Sequence, residues 1–199
     1  MKFTPSINEA IKLAYRLHRN LTRKDAEKTT YLIHLVSVAI VLSEITDDED
    51  IIIAGLMHDS MEDVEGYAYE HLVSDCGERV ANIVKGVTET KEFSHSEDRE
   101  LRWLKTKELY LENLKLGSIE SAMVSAADKI HNTESFLIDA EKEGEQFIKR
   151  FGASMKNKLL FNEKSLGVIT NKLGKNHALV MRLASHTEKF KFLFSKYEK

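Results

Sequence analysis

Residues 49–64, "EDIIIAGLMHDSMEDV", place an apolar run directly before a histidine and three carboxylates. Three consecutive isoleucines are typical of a strand as well as of a buried segment. The length of the run and the Ala-Gly-Leu-Met that follows favour a helix. His58 and Glu62 lie four residues apart, as do Asp59 and Asp63. On a helix each pair would therefore share a face, and the two faces would be neighbours. We therefore predict a buried helix that carries imidazole and carboxyl groups at its end.

Helix breakers are rare along the chain, which favours an all-α fold. Proline occurs once, at Pro5, and the nine glycines are scattered. A first helix is predicted from Ser6 or Asn8 as N-cap to near Asn20, and a strongly apolar second helix over residues 31–45. The other predicted helices are the segment at 49–61, capped by Asp47 or Asp48, and those at about 67–75, 77–90, 97–116, 119–140, 145–173 and 176–195. The most polar interior loop, residues 88–100, is a candidate for substrate contacts.

The composition limits the class of protein. A chain of 199 residues with 42% hydrophobic residues can bury one sizeable core, and we predict a single domain. A net charge of −3 gives no basic surplus for nucleic-acid binding. The one cysteine, Cys76, excludes an internal disulfide and a thiolate zinc site. The charged N-terminal segment lacks a signal-peptide or membrane-spanning run, so we expect a cytoplasmic protein without a membrane partner. The sequence leaves open whether it forms a homo-oligomer.

Four side chains from distant segments form a candidate metal site if a helical bundle brings them together. They are His34, His58, Asp59 and Asp128. Two imidazoles and two carboxylates suit Zn²⁺, Mn²⁺ or Fe²⁺, and the carboxylate share favours Mn²⁺. The alternative for His34 alone is a satisfied core histidine, and Asp128 could instead pair with Lys129 or Arg16. Burying an unpaired aspartate is costly, and metal coordination would remove that cost.

Glu62 and Asp63 allow two interpretations. They could be solvated residues or the acidic first turn of the next helix. A carboxylate just outside a ligand shell can also orient or deprotonate a metal-bound water. Spacing alone does not separate the two. His18 and His131 are assigned structural roles, His18 because a cation is favourable at a helix C-terminus and His131 because it points away from the site on its helix.

Three segments together resemble the signature segments of the HD-domain hydrolases. They are "TTYLIHLVSVA" (29–39), "GLMHDSMEDV" (55–64) and "VSAADKIHN" (124–132), and "IVKGVTET" (83–90) resembles a further segment of the same family. The branch is that of the Rel and SpoT hydrolase domains and the small alarmone hydrolases of the metazoan Mesh type. The resemblance covers about residues 5–140 and leaves a helical extension at about 145–199. Prolines common around the first segment are absent, since Thr30 precedes Tyr31 and Leu35 follows His34.

This resemblance implies a Mn²⁺-dependent 3′-pyrophosphohydrolase that cleaves (p)ppGpp, a guanine nucleotide, into GDP or GTP and diphosphate by attack of a metal-activated water. The implied residues are the metal ligands His34, His58, Asp59 and Asp128, the catalytic pair Glu62 and Asp63, and the substrate-binding Arg23, Lys24 and Asn132. Arg99 and Arg102 are weaker candidates for binding the departing diphosphate. The alternatives are an HD hydrolase of another nucleotide, such as NADPH, a dNMP or a dNTP, and an inactive nucleotide-binding protein.

Overall fold

The computed structural model describes residues 3–25, 27–89, 98–148 and 155–197. Within these ranges it contains helices and no strand, so the predicted all-α fold is confirmed. The helices are α1 Pro5–His18, α2 Leu32–Ser43, α3 Glu49–Met57, α4 Ser60–Asp63, α5 Tyr69–Cys76, α6 Glu78–Lys85, α7 Arg99–Leu116, α8 Ile119–Glu143, α9 Glu145–Ile148, α10 Met155–Leu173 and α11 Ala178–Tyr197. No helix in the described part of the chain is long and apolar enough to cross a membrane.

Helix α1 begins one residue after Thr4, earlier than predicted. The Thr4 hydroxyl accepts the backbone N–H of Ile7 at 3.3 Å, and proline occupies the first helical position, where its missing N–H costs nothing. Ile7 and Ala14 lie on the buried face. The loop that follows is closed by an isolated antiparallel bridge between Thr22 and Thr30. This loop carries Arg23 and Lys24 over the end of the bundle.

The central pair, α2 and α3, packs closely because a glycine lies at the contact. A Cβ on Gly55 would lie 2.5 Å from Leu42 Cδ1, so any larger residue here would require the Leu42 side chain to move. The isoleucine run forms part of α3 and is buried, which confirms the helical prediction for the segment. Of the two predicted caps, Asp48 is the one that accepts the Asp50 N–H, at 3.1 Å.

Helix α8 lies at the centre and contacts α2, α3, α10 and α11. Its 25 residues begin at the Ser118 cap, and its buried face includes small residues such as Ala126 and Ala127 that let its neighbours pack closely. The C-terminal helices α10 and α11 contribute Ile169 and Leu183 to the same buried cluster as α2 and α3. The extension therefore packs against the motif-bearing helices.

Several predicted boundaries differ from the structure. The helix predicted at 77–90 ends at Lys85, and Gly86 follows as its C-cap. The helix predicted at 145–173 is described as α9 and α10, and residues 149–154 between them lie outside the described residues. Residues 90–97 of the predicted polar substrate loop also lie outside them. Single-residue propensity does not fix a helix end, because end positions depend on caps and tertiary contacts.

Candidate active site

The four predicted metal ligands converge at the centre of the bundle. His34 comes from α2, His58 and Asp59 from the junction of α3 and α4, and Asp128 from α8. His34 Nε2 lies 3.2 Å from His58 Nε2, 3.4 Å from Asp59 Oδ2 and 3.3 Å from Asp128 Oδ1. His58 Nε2 lies 3.1 Å from Asp59 Oδ2 and 3.6 Å from Asp128 Oδ1. Two imidazole nitrogens and two carboxylate oxygens thus face one point.

The third helix ends near His58 and Asp59 as predicted, but the last residues of the predicted segment 49–61 belong to a separate short helix, α4. Helix α3 ends at Met57, and Asp59 has φ −95° and ψ 0° before α4 begins at Ser60. The Asp59 carbonyl accepts the N–H groups of Glu62 and Asp63 at 3.1 and 2.9 Å, and these bonds hold the new turn. At this junction the His58 and Asp59 side chains reach the same point, with Nε2 and Oδ2 3.1 Å apart.

The charges of the cluster stabilise one another. Burial alone would raise the pKa of Asp59, but His58 and His34 more than offset it and hold that pKa well below its usual range. Burial would likewise raise the pKa of Asp128, and Lys129 with the two histidines lowers it well below normal. Burial would lower the pKa of His58, whereas Asp59 and Asp128 raise it well above normal. Both aspartates are therefore held as carboxylates, the form that binds a cation.

The donor set fits a divalent cation. His34, His58 and Asp59 offer ligand atoms within 4.8 Å of one another, and both histidines are almost fully buried. The Nδ1 atom of His58 donates to the Gly55 carbonyl at 2.8 Å, so loss of the other ring proton would leave the lone pair on Nε2, the atom that faces the cluster. Asp128 Oδ2 also accepts from Lys129 Nζ at 2.7 Å. The salt bridge considered from the sequence is therefore present, and Asp128 Oδ1 still faces the histidines.

The predicted acidic pair lies beside this cluster on α4. Glu62 Oε1 accepts the backbone N–H of Glu89 at 2.6 Å, and the Glu89 carboxylate pairs with Lys107. Burial, together with the negative charges of Asp59 and Glu89, raises the pKa of Glu62 to about 8. Asp63 is exposed and lines the cleft above the cluster. Glu62 therefore holds a proton near neutral pH more readily than an ordinary glutamate.

A cleft of about 700 Å³ opens over the cluster, a volume within the usual range for a small-molecule site. The three predicted substrate-binding residues, Arg23, Lys24 and Asn132, all line it. Arg23 donates to Asn132 Oδ1 at 2.9 Å, and its guanidinium lies 5.7 Å from the centre of the Tyr31 ring. Asn132 in turn donates to Asp128 Oδ1. The predicted basic loop is thus connected to the donor cluster through one amide.

The cleft also contains residues that the sequence did not indicate. Lys107 of α7 and Lys158 of α10 line it with Trp103. Burial, Lys24 and Lys107 lower the pKa of Lys158 to about 8, so these ammonium groups lie close enough to repel one another. The sequence around a lysine in a helical segment does not indicate which residues of other helices it approaches in the folded protein. The predicted candidates Arg99 and Arg102 are not among the described residues that line the cleft.

Three aromatic rings, those of Tyr31, His18 and His131, complete the surroundings of the donors. The Tyr31 hydroxyl donates to Asp59 Oδ2 at 2.7 Å, and its ring stacks on His18 with the centroids 5.6 Å apart. His18 is fully buried against this tyrosine. His131, which the sequence placed away from the site, has its Nδ1 atom 2.8 Å from His34 Nδ1. The turn of α8 directs His131 toward α2, because α8 packs directly on α2.

Comparison with known proteins agrees with this arrangement. The family model described as "HD domain" matches residues 10–152. The chain belongs to the HD domain family. The matched part of this HD domain includes α2, α3, α4 and α8, which carry the converging donors. All of α10 and α11 lie beyond it, so Lys158 belongs to a part of the cleft wall that the family model does not cover.

Relatives of this HD domain include short and long proteins. The guanosine-3′,5′-bis(diphosphate) 3′-pyrophosphohydrolase MESH1 of Danio rerio is 36% identical over 132 residues, which cover 65% of this chain and 68% of that protein. A protein of the same name in Drosophila melanogaster is 29% identical, and the match covers 69% of that protein's length. The guanosine-3′,5′-bis(diphosphate) 3′-pyrophosphohydrolase of Aquifex aeolicus is 30% identical, and the match spans only 19% of its length.

A solved structure shares the whole architecture. It is that of a metazoan SpoT ortholog that hydrolyzes ppGpp, and it superimposes with a TM-score of 0.75 over 95% of this chain and 97% of its own. The sequence identity is 23%, so this match shows the fold. Because it covers nearly the full length, the C-terminal helices belong to the common fold as well.

Proposed function

We propose that this protein is a metal-dependent (p)ppGpp 3′-pyrophosphohydrolase, which converts ppGpp or pppGpp and water into GDP or GTP and diphosphate. The observation that carries the proposal is the relationship to MESH1 over two thirds of that protein's length. A buried donor cluster at the base of a cation-lined cleft supports it, since a nucleotide diphosphate needs both. The proposed substrate and the single cysteine also favour a cytoplasmic location.

His34, His58, Asp59 and Asp128 are proposed to hold the cation. Their two nitrogens and two oxygens suit Mn²⁺ better than a thiolate-preferring metal, although Zn²⁺ and Fe²⁺ accept the same donors. When bound, such an ion lowers the pKa of water and polarises the phosphoryl group under attack. Tyr31 donates to Asp59 Oδ2, and this contact would orient that ligand carboxylate.

Glu62 is proposed to handle the proton. The oxygen of water forms a bond to the phosphorus attached to the ribose, the bond from that phosphorus to the 3′ oxygen breaks, and the 3′ oxygen gains a proton. The Glu89 N–H donates to Glu62 Oε1 and so holds this carboxyl group beside the donor cluster. A carboxyl group with a pKa near 8 can accept a proton and return it at neutral pH. Asp63 is proposed as the second member of this acidic pair.

The cations of the cleft are proposed to bind the phosphate groups. Arg23 can present two parallel N–H groups to a phosphate or stack on a purine, whereas Lys24, Lys107 and Lys158 offer compact charges. Mutual repulsion among these lysines, visible in the lowered pKa of Lys158, would be relieved by an anionic ligand. Asn132 connects Arg23 to Asp128, and we propose that it sets the distance between the bound nucleotide and the cation site.

A substrate screen tests the proposal. The purified full-length chain with Mn²⁺ would be incubated with ppGpp, pppGpp, NADPH, a dNMP and a dNTP, and the products separated by ion-exchange chromatography. We expect release of diphosphate from ppGpp and pppGpp, with loss of activity after chelation and recovery on adding Mn²⁺. Cleavage of NADPH or a deoxynucleotide without diphosphate release from ppGpp would contradict (p)ppGpp as the substrate. The protein would then still be an HD-domain hydrolase, but of another nucleotide. No turnover of any of them would favour an inactive nucleotide-binding protein.

A further inference from the structure

His131 contacts the proposed metal ligand His34 on the side of its ring that faces away from the donor cluster. Its Nδ1 atom lies 2.8 Å from His34 Nδ1, on the opposite side of the His34 ring from the Nε2 atom that faces the donor cluster. The two rings have centroids 4.8 Å apart. The far nitrogen of His131, Nε2, lies 3.4 Å from the Ser135 hydroxyl, one turn further along α8. A chain of contacts thus runs from Ser135 through His131 and His34 to the cluster.

The chemistry of imidazole allows one proton arrangement when a cation is bound. A ligating Nε2 of His34 must carry a lone pair, so the proton of a neutral His34 lies on Nδ1. In the described part of the chain the nitrogen of that N–H lies 2.8 Å from His131 Nδ1, which must then be an unprotonated acceptor. The proton of His131 consequently lies on its Nε2, from where it can donate to the Ser135 oxygen. Once Nε2 of His34 binds the cation, each of the other imidazole nitrogens in this series of contacts is defined as a hydrogen-bond donor or acceptor.

His58, the second proposed ligand histidine, makes the same kind of hydrogen bond from Nδ1, but to a different type of acceptor. His58 Nδ1 donates to the Gly55 carbonyl at 2.8 Å, a backbone oxygen that can only accept. Metal-binding histidines generally donate their outer N–H to a carboxylate, a carbonyl or water, which fixes the ring and its tautomer. For His34 the atom at the corresponding position is an imidazole nitrogen from α8, His131 Nδ1.

We propose that His131 is a positioning residue for the metal site, whose neutral ring accepts the Nδ1–H of His34 and thereby holds His34 Nε2 toward the cation. This inference rests on the proposed metal site. It assigns His131, which also lines the cleft, a role in metal affinity. The substitution that tests it removes the acceptor and keeps an aromatic ring in the same place.

The experiment compares His131→Phe with His131→Asn in the full-length chain. The asparagine Oδ1 occupies about the position of the histidine Nδ1, so this variant can keep the acceptor. His71→Phe is the matched control, because His71 is exposed and stacks on Tyr67 away from the donor cluster. Zn²⁺ and Mn²⁺ dissociation constants would be measured by competition with a chromophoric chelator, and folding followed by thermal denaturation of each variant without metal.

We expect His131→Phe to weaken binding of either metal about 10–100-fold, as is usual when the outer partner of a ligand histidine is lost. His131→Asn should restore most of that loss, and His71→Phe should bind as the parent does. Equal affinity in His131→Phe and the parent chain would overturn the inference while leaving the proposed function intact. Failure of the parent chain to bind either metal would overturn both.

A spectroscopic measurement tests the proton arrangement directly. In the ¹⁵N-labelled, Zn²⁺-loaded protein, long-range ¹H–¹⁵N correlations should show a proton on Nδ1 of His34 and on Nε2 of His131. A scalar coupling between the two Nδ1 atoms across the hydrogen bond should also be present, and should disappear in His131→Phe. A protonated Nδ1 on His131 in the Zn²⁺-loaded protein would overturn the inference, whatever the affinities.

Discussion

The donor cluster and the wall of the cleft are built in opposite ways. His34, His58 and Asp128 project from buried helices, and each outer atom has a partner, such as the Gly55 carbonyl, His131 or Lys129. The wall is formed by longer charged side chains from a loop and from peripheral helices, of which Arg23 and Lys158 are examples. The donors are thus held by buried polar partners, whereas the wall brings together like charges that repel one another.

This difference predicts how each region responds to substitution. Loss of one buried partner leaves another buried charge uncompensated, so changes in the cluster should affect both stability and metal binding. A change in the wall removes one of several similar cations and should affect substrate binding alone. The predictions below test this division, beginning with the largest expected effect.

Substitution Asp128→Ala should abolish turnover of ppGpp and metal binding together. Removing one of four donors should lower the metal affinity enough that activity falls at least about a thousandfold, since the cation supplies several kcal/mol of transition-state stabilisation. The unpaired Lys129 should also lower the free energy of unfolding by about 3–5 kcal/mol. Metal content by mass spectrometry and urea denaturation would measure the two effects.

A double variant separates these effects. Asp128→Asn with Lys129→Met removes both members of the ion pair, which lie 2.7 Å apart, and should recover most of the lost stability. It should still fail to bind metal. A double variant that binds Mn²⁺ as tightly as the parent chain would exclude Asp128 as a ligand.

Substitution Glu62→Gln should slow turnover without loss of metal. The amide cannot accept a proton, so kcat should fall about 10²–10⁴-fold while the Mn²⁺ dissociation constant changes little. Glu65→Gln is the control, because Glu65 is an exposed residue just beyond α4. Unchanged kcat in Glu62→Gln would exclude this residue from proton transfer.

Substitution Lys158→Met should act on substrate binding. Loss of one charged contact to phosphate should raise the KM for ppGpp roughly tenfold, with a smaller change in kcat. The thermal stability should not fall, because the pKa of Lys158 shows that its charge is disfavoured in the free protein. Lys164→Met, an exposed position on the same helix, serves as the control. An unchanged KM would remove α10 from the phosphate-binding wall.

The pH dependence of stability should reflect Glu62 in the metal-free protein. The folded protein holds the Glu62 proton up to about pH 8, whereas the unfolded chain releases it near its ordinary value of 4.5. The free energy of unfolding should therefore fall as the pH rises through this window, because the folded state binds the extra proton. The expected loss is on the order of 2 kcal/mol, since partial exposure reduces the full effect.

The Glu62→Gln variant provides the comparison for that measurement. It lacks the ionisable group, so its stability relative to the parent chain should increase between pH 5 and pH 8.5 in the presence of a chelator. Urea denaturation at several pH values would show the trend. A constant difference between the two proteins would mean that the pKa of Glu62 is not raised in the fold.

Local patterns predicted the helical class and several elements well. The apolar run before His58 forms α3 as predicted, because its length and composition favour a buried helix whatever its partners are. The resemblance of the three segments selected His34, His58, Asp59 and Asp128, which the structure brings together, although their role as ligands stays a prediction. The end of the third helix near His58 and Asp59 was predicted from the sequence, whereas the short helix α4 that begins at Ser60 lies within the segment 49–61 that was predicted as one helix.

The sequence by itself determined an all-α chain and the residues of its converging donor set, because helical periodicity and short motifs are local properties of the polypeptide. Only the tertiary structure decided that His131 lies behind His34, that the Glu89 N–H fixes Glu62, and that Lys158 faces the cleft. These contacts join residues 27 to 97 positions apart, or different helices, and depend on how the helices pack. Packing of whole helices sets such distances, and a linear pattern does not encode them.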